Sequence, residues 1–178
     1  MTFRSRQKRL SERRGMMQKD NIEEKTEEKI GENTEENNGE KKYIAFVCTG
    51  NTCRSPMAQA IFNSLADTER VEAESFGIST ETGLPVSENS VLACREIGLD
   101  ISEMRSTAVT DVELDKYERF YCMSPNHARV LFAYLGVPSE KLAVMNVSDP
   151  YGGDPEVYRA CRDEIYNSVK EILKEYEA

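Results

Sequence analysis

A cysteine and an arginine with five residues between them, Cys48 and Arg54, carry side chains suited to phosphate chemistry. A thiolate is a strong nucleophile, and a planar guanidinium holds two oxygens of a phosphoryl group at once, which a lysine does less well. The spacing alone is a weak motif, because it also occurs by chance. Its setting is stronger, since the run CTGNTCRSP follows an apolar run and leads into a helical pattern. We therefore predict an anion-binding loop in which Cys48 attacks phosphorus.

The loop between Cys48 and Arg54 has the composition that an anion site needs. Gly50 permits backbone conformations closed to other residues, and Asn51 tolerates a left-handed one. Backbone N–H groups of the loop and of the helix start would point into one concavity, where the helix dipole adds positive potential. That potential favours the thiolate of Cys48, to which Ser55 could donate a hydrogen bond. A buried structural cysteine in a glycine-containing turn stays open as the alternative.

A carboxylic acid is needed to protonate the departing group, and Asp149 is the candidate. It follows an apolar run that ends at Val147, and Pro150 stiffens the loop that carries it. On the return step the same carboxylate could act as a base toward water. An Asp-Pro pair is also ordinary turn chemistry, so the assignment depends on Asp149 lying beside Cys48 and Arg54.

The rest of the chain alternates short apolar runs with segments of helical periodicity. Strands are predicted at 43–48, 71–76, 119–123 and 141–147. Helices are predicted to begin at Ser55 or Pro56 and to span 88–97, 125–135 and 155–176. This alternation predicts an α/β fold, a single domain whose parallel sheet has helices on both faces. Ligands bind such sheets at the carboxyl ends of the strands, which is where the Cys48 loop and Asp149 are expected.

Composition excludes several partners and compartments. The chain of 178 residues has a net charge of -9 and a pI near 4.8, so its surface should repel nucleic acid. Its longest apolar runs, such as 43–48 and 142–147, are far shorter than the roughly 20 residues that cross a bilayer. Five cysteines form an odd set, and no signal peptide is visible, which favours a reducing compartment. We expect a cytoplasmic protein that binds neither nucleic acid nor a membrane.

Residues 1–42 differ in composition from the rest and are predicted to be a disordered, charged tail, which leaves 43–178 as the domain. Residues 2–19 are rich in arginine and lysine, and 20–42 are rich in glutamate, asparagine and lysine. Neither part has the apolar spacing that anchors a helix. The basic part is either a handle for an acidic partner or an extension without a function, and the second interpretation is preferred.

Two motifs, FVCTGNTCRSPMA and DPYGG, resemble those of the low molecular weight protein tyrosine phosphatases and their protein arginine phosphatase relatives. The resemblance covers the predicted domain and implies a four-stranded parallel sheet, phosphorylated proteins as substrates, and no metal or other cofactor. It also implies a phosphocysteine intermediate on Cys48, phosphate held by the loop and Arg54, and acid then base duty for Asp149. Asn51 would shape the loop, and Ser55 would support the thiolate. The substrate-binding residues that it implies are Thr49, Gly50, Asn51, Thr52, Cys53, Ser55 and Tyr151.

The resemblance leaves the substrate between two phosphorylated side chains. Thr52 matches the arginine phosphatases, since tyrosine phosphatases usually carry a bulkier aliphatic residue there, and a small polar wall suits a guanidinium. The paired Gly152 and Gly153 also resemble that branch. Tyr151 favours the other branch, because tyrosine phosphatases stack a tyrosine on the phenol, although an aromatic face also binds a guanidinium. Phosphoarginine is preferred, with phosphotyrosine as the alternative.

The remaining cysteines bear on a more distant alternative, thiol-dependent arsenate reduction. The resemblance associates that activity with two further cysteines that lie close together in sequence. Here, in contrast, Cys94, Cys122 and Cys161 lie on separate predicted elements. Arsenate reduction is therefore disfavoured. The resemblance also implies that Cys53 can form a reversible disulfide with Cys48 under oxidation, and a small buried loop residue is the equal alternative.

The chain departs from the family in a segment that should brace the phosphate loop. Family members usually carry a histidine after the second helix, and here that segment reads ISEMRST. The only histidine, His127, lies at the start of the helix after the third strand. We expect it to be structural or at the surface, away from the helix of the phosphate loop. The last helix is expected to present Val157, Ile165, Val169 and Ile172 to the core.

Overall fold

The computed structural model describes residues 40–177, so residues 1–39 of the predicted tail 1–42 lie outside the described residues. Strand β1 spans Lys42–Cys48 and begins one residue before the predicted strand. Its last five residues are all buried, which is the burial expected of a strand covered on both faces. Three further strands follow: β2 at Val71–Gly77, β3 at Arg119–Cys122 and β4 at Leu142–Val144.

All four strands are parallel, in the order β2-β1-β3-β4. Cys48 is paired with Gly77 of β2, and Val47 is paired with Cys122 of β3. The three strands therefore end at one edge of the sheet. The loops that follow them meet at that edge, as expected for the ligand-binding end of a parallel sheet.

Helices cover both faces of the sheet, which confirms the predicted fold class. The helices are α1 at Arg54–Leu65, α2 at Glu88–Arg95, α3 at Pro125–Leu135 and α4 at Pro155–Leu173. Single 3-10 turns lie at Val109–Asp111, Leu114–Lys116 and Ser139–Lys141. Alternate residues of β1 point to different cores, because Phe46 packs with residues of α1 and α4 while Val47 packs with Leu131 of α3. No helix within residues 40–177 is long and apolar enough to cross a membrane.

The helix boundaries follow local sequence signals. α3 begins at Pro125 and ends at Gly136, which takes the left-handed φ of 71° that stops a helix. α4 begins with Asp154, whose carboxylate accepts a hydrogen bond from the backbone N–H of Val157, and with Pro155 in the first turn. These signals place the start of α4 directly after the loop that carries Asp149.

Two predictions about the last elements are wrong. β4 ends at Val144 and not at 147, because Asn146 takes a left-handed φ of 56° that breaks the extended conformation. Val157 is 44% exposed, whereas the other three residues of the predicted stripe are buried. Val157 precedes Ile165 by eight positions, which places it about 80° around the helix, so Tyr158 occupies the buried face instead.

Candidate active site

The loop between β1 and α1 is supported from the end of β2. The backbone N–H of Ser79 donates to the carbonyl of Thr49 at 2.9 Å. Gly77 allows this approach, because a Cβ there would lie 2.9 Å from the Thr49 carbonyl oxygen and 3.1 Å from the backbone nitrogen of Asn51. Sequence analysis did not identify Gly77, although a glycine that ends a buried strand is a signal of close backbone approach.

The sulfur of Cys48 has polar partners although the residue is only 2% exposed. Its Sγ accepts a hydrogen bond from the backbone N–H of Asn51 at 3.2 Å. The hydroxyl of Ser55 lies 3.0 Å from the same sulfur. These are the contacts expected of a thiolate supported by a loop amide and a hydroxyl, and they differ from those of a cysteine packed only against apolar groups.

Asn51 ties the loop to its surroundings. It takes the left-handed conformation that asparagine tolerates, with φ at 51°. Its amide nitrogen donates to Ser55 Oγ and to Ser75 Oγ, each at 2.9 Å. Its Oδ1 accepts a hydrogen bond from the backbone N–H of Thr107 at 2.7 Å.

The contact with Thr107 explains how the loop is braced without the expected histidine. Thr107 is the last residue of ISEMRST, the segment in which that histidine is missing. A backbone N–H from this segment, together with the hydroxyl of Ser75, makes the contacts to Asn51. Neither residue was among the predicted site residues. The Thr107 contact uses a backbone N–H, which leaves no signature in residue type, and Ser75 lies on a separate strand, β2.

Arg54 and Asp149 are neighbours at the mouth of the site, 95 positions apart in sequence. The guanidinium Nη2 lies 2.8 Å from Asp149 Oδ2, and Nη1 donates to the carbonyl of Val147 at 3.4 Å. Arg54 is 5% exposed, whereas the side chain of Asp149 is about half exposed at 54%. The other carboxylate oxygen, Oδ1, accepts the backbone N–H of Tyr151 at 3.2 Å, which orients the carboxylate.

A cleft of about 240 Å³ joins these groups. It is lined by Cys48, Thr49, Gly50, Thr52, Cys53, Arg54, Asp149 and Tyr151. The remaining two candidates, Asn51 and Ser55, are buried and bonded to the loop. The structure therefore brings all the predicted site residues together. No group of three or more His, Cys, Asp or Glu residues between 40 and 177 is arranged to hold a metal ion.

His127 was expected to be structural or at the surface, away from the helix of the phosphate loop; it is buried, and it contacts the loop itself at Thr49. The ring is buried at 2% exposure, and its Nε2 lies 3.0 Å from Oγ1 of Thr49. Burial first, and then the positive charge of Arg54, lower the pKa of His127 to about 4, while the charge of Asp149 acts in the opposite direction. The position of His127 in the sequence was a signal for this contact. The segment directly after β3 leaves the sheet at the same edge as the loop after β1.

Cys53 has hydroxyl neighbours of its own behind the cleft. Its Sγ donates to Ser87 Oγ at 3.4 Å and lies 3.5 Å from the hydroxyl of Tyr158. Sequence analysis identified neither partner. All five cysteines are free thiols, so the disulfide between Cys53 and Cys48 stays a prediction.

Comparison with known proteins places this site in a family. The family described as low molecular weight phosphotyrosine protein phosphatase matches residues 43–178. The chain belongs to that family. It is thus a low molecular weight protein phosphatase, and the family predicted from the two motifs is confirmed.

Relatives of this low molecular weight phosphatase carry different names. A protein-arginine-phosphatase of Bacillus subtilis is 29% identical over 143 residues, which cover 74% of this chain and 95% of that protein. An arsenate reductase of Halalkalibacterium halodurans is 36% identical over 137 residues, which cover 73% of this chain and 94% of that protein. The crystal structure of a low molecular weight protein tyrosine phosphatase from T. tengcongensis has a TM-score of 0.71 and 31% identity, covering 75% of this chain and 99% of that one.

Proposed function

We propose that this phosphatase hydrolyses phosphorylated protein side chains through a phosphocysteine on Cys48, and that phosphoarginine is its preferred substrate. The observation that carries the proposal is the single cleft in which the Cys48 sulfur, the buried guanidinium of Arg54 and the carboxylate of Asp149 meet. A nucleophile, a phosphate clamp and an acid at one site are the groups that phosphoryl transfer to sulfur requires.

The first step transfers the phosphoryl group to sulfur. A phosphate dianion enters the loop, and Arg54 exchanges its contact with Asp149 for the equatorial phosphoryl oxygens. The Cys48 thiolate forms an S–P bond while the bond from phosphorus to the leaving nitrogen or oxygen breaks. Once freed from Arg54, Asp149 takes up a proton from solvent and gives it to that leaving atom.

The second step regenerates the enzyme. A water molecule attacks the phosphorus of the phosphocysteine, and the Asp149 carboxylate takes the proton of that water. The S–P bond breaks, the thiolate returns to its contacts with Ser55 and the Asn51 amide, and inorganic phosphate leaves. The loop amides, the helix start and Arg54 supply the positive potential that the transferred group needs.

The wall of the cleft supports phosphoarginine over phosphotyrosine. Thr52 lines the cleft with a small polar side chain, where an aliphatic residue would favour an aromatic ring. Tyr151 is 84% exposed at the rim, so its ring face is open to a guanidinium or to a phenol. A relative named protein-arginine-phosphatase aligns over 74% of this chain, which agrees with the preference for phosphoarginine.

The cytoplasm is the proposed location of the protein. Free thiols at all five cysteines are consistent with that location.

The proposal is tested by turnover of matched phosphoarginine and phosphotyrosine peptides by the purified full-length protein. We expect Cys48→Ser to abolish turnover of both peptides and the wild type to favour phosphoarginine in kcat/KM. Thr52→Ile should lower kcat/KM for phosphoarginine far more than for phosphotyrosine, with Thr52→Ser as the control that keeps the hydroxyl. Equal losses on both peptides in Thr52→Ile would reject the phosphoarginine assignment, and turnover by Cys48→Ser would reject the mechanism.

Arsenate reduction is the second candidate, because a relative named arsenate reductase is 36% identical over 137 residues. A relay needs further thiols that ionise near the nucleophile. Burial instead raises the pKa of the Cys94, Cys122 and Cys161 thiols, each to about 12. We expect no arsenate-dependent consumption of reducing equivalents with a thiol reductant under conditions in which the phosphopeptides are turned over.

A further inference from the structure

Thr49, the first loop residue after Cys48, is anchored separately from the rest of the loop. Its Oγ1 lies 3.0 Å from Nε2 of His127, and Nδ1 of the same ring lies 3.0 Å from Oγ of Ser124. Asn51 ties the loop on its other side through Ser55, Ser75 and Thr107. Thr49 lines the cleft and His127 is buried. The hydroxyl of Thr49 therefore lies at the wall of the site and is held there by contact with the buried His127 ring.

The two hydrogen bonds of His127 limit how the Thr49 hydroxyl can be used. The lowered pKa keeps the ring neutral near pH 7, so one ring nitrogen donates and the other accepts. The hydroxyl of Ser124 lies 3.0 Å from Nδ1 and can donate its hydrogen to that nitrogen. In that arrangement Nε2 carries the proton and donates to Thr49 Oγ1.

The tautomer decides what Thr49 presents to the cleft. When Nε2–H donates to Oγ1, the Thr49 hydrogen is free to donate to an anion. When Thr49 instead donates to an unprotonated Nε2, only oxygen lone pairs remain for the cleft, and these repel a phosphate dianion. A bound phosphoryl group therefore selects the first arrangement, because a hydroxyl donor to an anion is a strong hydrogen bond.

We propose that His127 is a positioning residue that holds the Thr49 hydroxyl, through its Nε2–H, as a hydrogen-bond donor to the phosphoryl group. The inference rests on the proposed function and adds a side-chain donor to the backbone amides of the loop and to Arg54. Ser124 fixes this tautomer of His127 through the hydrogen bond between its hydroxyl and Nδ1. The role differs from that of a catalytic acid, since His127 keeps its proton throughout.

The first test measures the dissociation constant of inorganic phosphate by calorimetry on the full-length protein, so that turnover is not needed. Thr49→Val removes the hydroxyl at nearly constant shape and should weaken phosphate binding roughly 10-fold or more, as expected for a hydrogen bond to a charged group. Thr49→Ser keeps the hydroxyl and should stay within about threefold.

Variants of His127 then separate positioning from packing. His127→Phe keeps a ring without nitrogen and should lose phosphate affinity as Thr49→Val does, whereas His127→Gln keeps an N–H and should recover most of it. The double variant Thr49→Val with His127→Phe should bind no more weakly than Thr49→Val alone, because His127 acts on phosphate only through the Thr49 hydroxyl. Thermal unfolding of each variant identifies any that fails to fold. In that case the phosphate affinities of Thr49→Ser and His127→Gln are compared with that of the wild type.

A spectroscopic readout is available because His127 is the only histidine in the 178-residue chain. Nitrogen-15 NMR of the imidazole, on protein without a histidine tag, should show the Nε2–H tautomer at pH 7 with phosphate bound. Adding phosphate should shift the Nε2 resonance in the wild type and leave it nearly unchanged in Thr49→Val.

Two results would overturn the inference: the Nδ1–H tautomer in the phosphate complex, or unchanged phosphate affinity in Thr49→Val. Failure of the proposed function is visible separately, as a protein that binds phosphate and shows this tautomer but turns over neither phosphopeptide.

Discussion

Arg54 and Asp149 form an ion pair across the cleft, with Nη2 of the guanidinium 2.8 Å from Oδ2 of the carboxylate. The guanidinium of Arg54 is nearly buried, whereas the carboxylate of Asp149 is about half exposed. The Asp149 side chain therefore has room to move away from Arg54. In the proposed mechanism, a phosphate dianion takes the place of this carboxylate at Nη2 of the guanidinium. The displacement has a chemical use, because it frees the Asp149 carboxylate to take up a proton and act as the acid when the substrate arrives.

Asp149→Asn should separate binding from proton transfer. The amide cannot protonate a leaving group, so we expect kcat/KM for phenyl phosphate to fall roughly 100-fold, and kcat/KM for 2,4-dinitrophenyl phosphate, whose leaving group needs no proton, to change little. Phosphate affinity should hold or improve, since Arg54 loses a competing anion. The measurement is kcat/KM across aryl phosphates of graded leaving-group pKa, because this parameter reports the first step and not the later hydrolysis of the phosphocysteine. Equal losses across that series would contradict the role of Asp149 as the acid.

Asn51 combines a left-handed backbone with three side-chain hydrogen bonds, and two substitutions separate these contributions. Asn51→Gly loses the hydrogen bonds and keeps an allowed conformation, at an expected cost of about 2–4 kcal/mol in unfolding free energy. Asn51→Ala should cost about 1–2 kcal/mol more, because alanine is strained at φ 51°. Denaturant unfolding measures both values. Equal stability of the two variants would show that the left-handed backbone is not under strain in alanine.

Gly77→Ala should disturb the phosphate loop from below. The new Cβ would lie 2.9 Å from the Thr49 carbonyl and 3.1 Å from the Asn51 nitrogen, both of them backbone atoms of the loop. We expect a loss of about 1–3 kcal/mol in stability and a roughly 10-fold weaker affinity for phosphate.

Gly98→Ala is the matched control for this variant. Gly98 has φ 83°, and a Cβ added there would meet no heavy atom within 4 Å, so alanine should be strained without touching the loop. Both variants should lose stability in denaturant unfolding, and only Gly77→Ala should lose phosphate affinity in calorimetry. A Gly77→Ala protein that binds phosphate normally would show that the loop tolerates the contact.

Local signals in the sequence were enough to predict the parts of the fold that depend on them. α3 has the predicted bounds, because Pro125 and Gly136 mark its ends. The meeting of the Cys48 loop with Asp149 also followed from the sequence, since a parallel sheet brings the ends of its strands to one edge. β4 was predicted too long, because nothing in the local pattern showed that Asn146 would take a left-handed conformation.

The contacts that hold the loop from outside were harder to predict. His127 and Thr49 are 78 positions apart, and their contact depends on how far α3 lies from the loop after β1. The Thr107 contact uses a backbone N–H, for which any residue except proline would serve. The reactive groups of the site could therefore be predicted from residue types. The contacts that hold the loop could not, because they depend on distances that only the packed structure fixes.

The pKa of His127 predicts how stability changes with pH. Burial lowers that pKa to about 4 from its ordinary value of 6.5, with Arg54 adding to the shift and Asp149 opposing it. Between these two values the unfolded chain binds a proton at His127 that the folded protein does not, so unfolding free energy falls as the pH is lowered. Above pH 6.5 the ring is neutral in both states and contributes no pH dependence.

His127→Gln isolates this effect, because glutamine does not titrate and other groups titrate alike in both proteins. On going from pH 7.5 to pH 4.5, the wild type should lose about 2–3 kcal/mol more unfolding free energy than the variant, as follows from linkage at about 1.4 kcal/mol per pH unit. Denaturant unfolding of both proteins at half-unit intervals provides the comparison. Parallel curves for the two proteins would mean that the ring of His127 accepts a proton as readily in the folded state as in the unfolded chain, contrary to its burial behind Thr49.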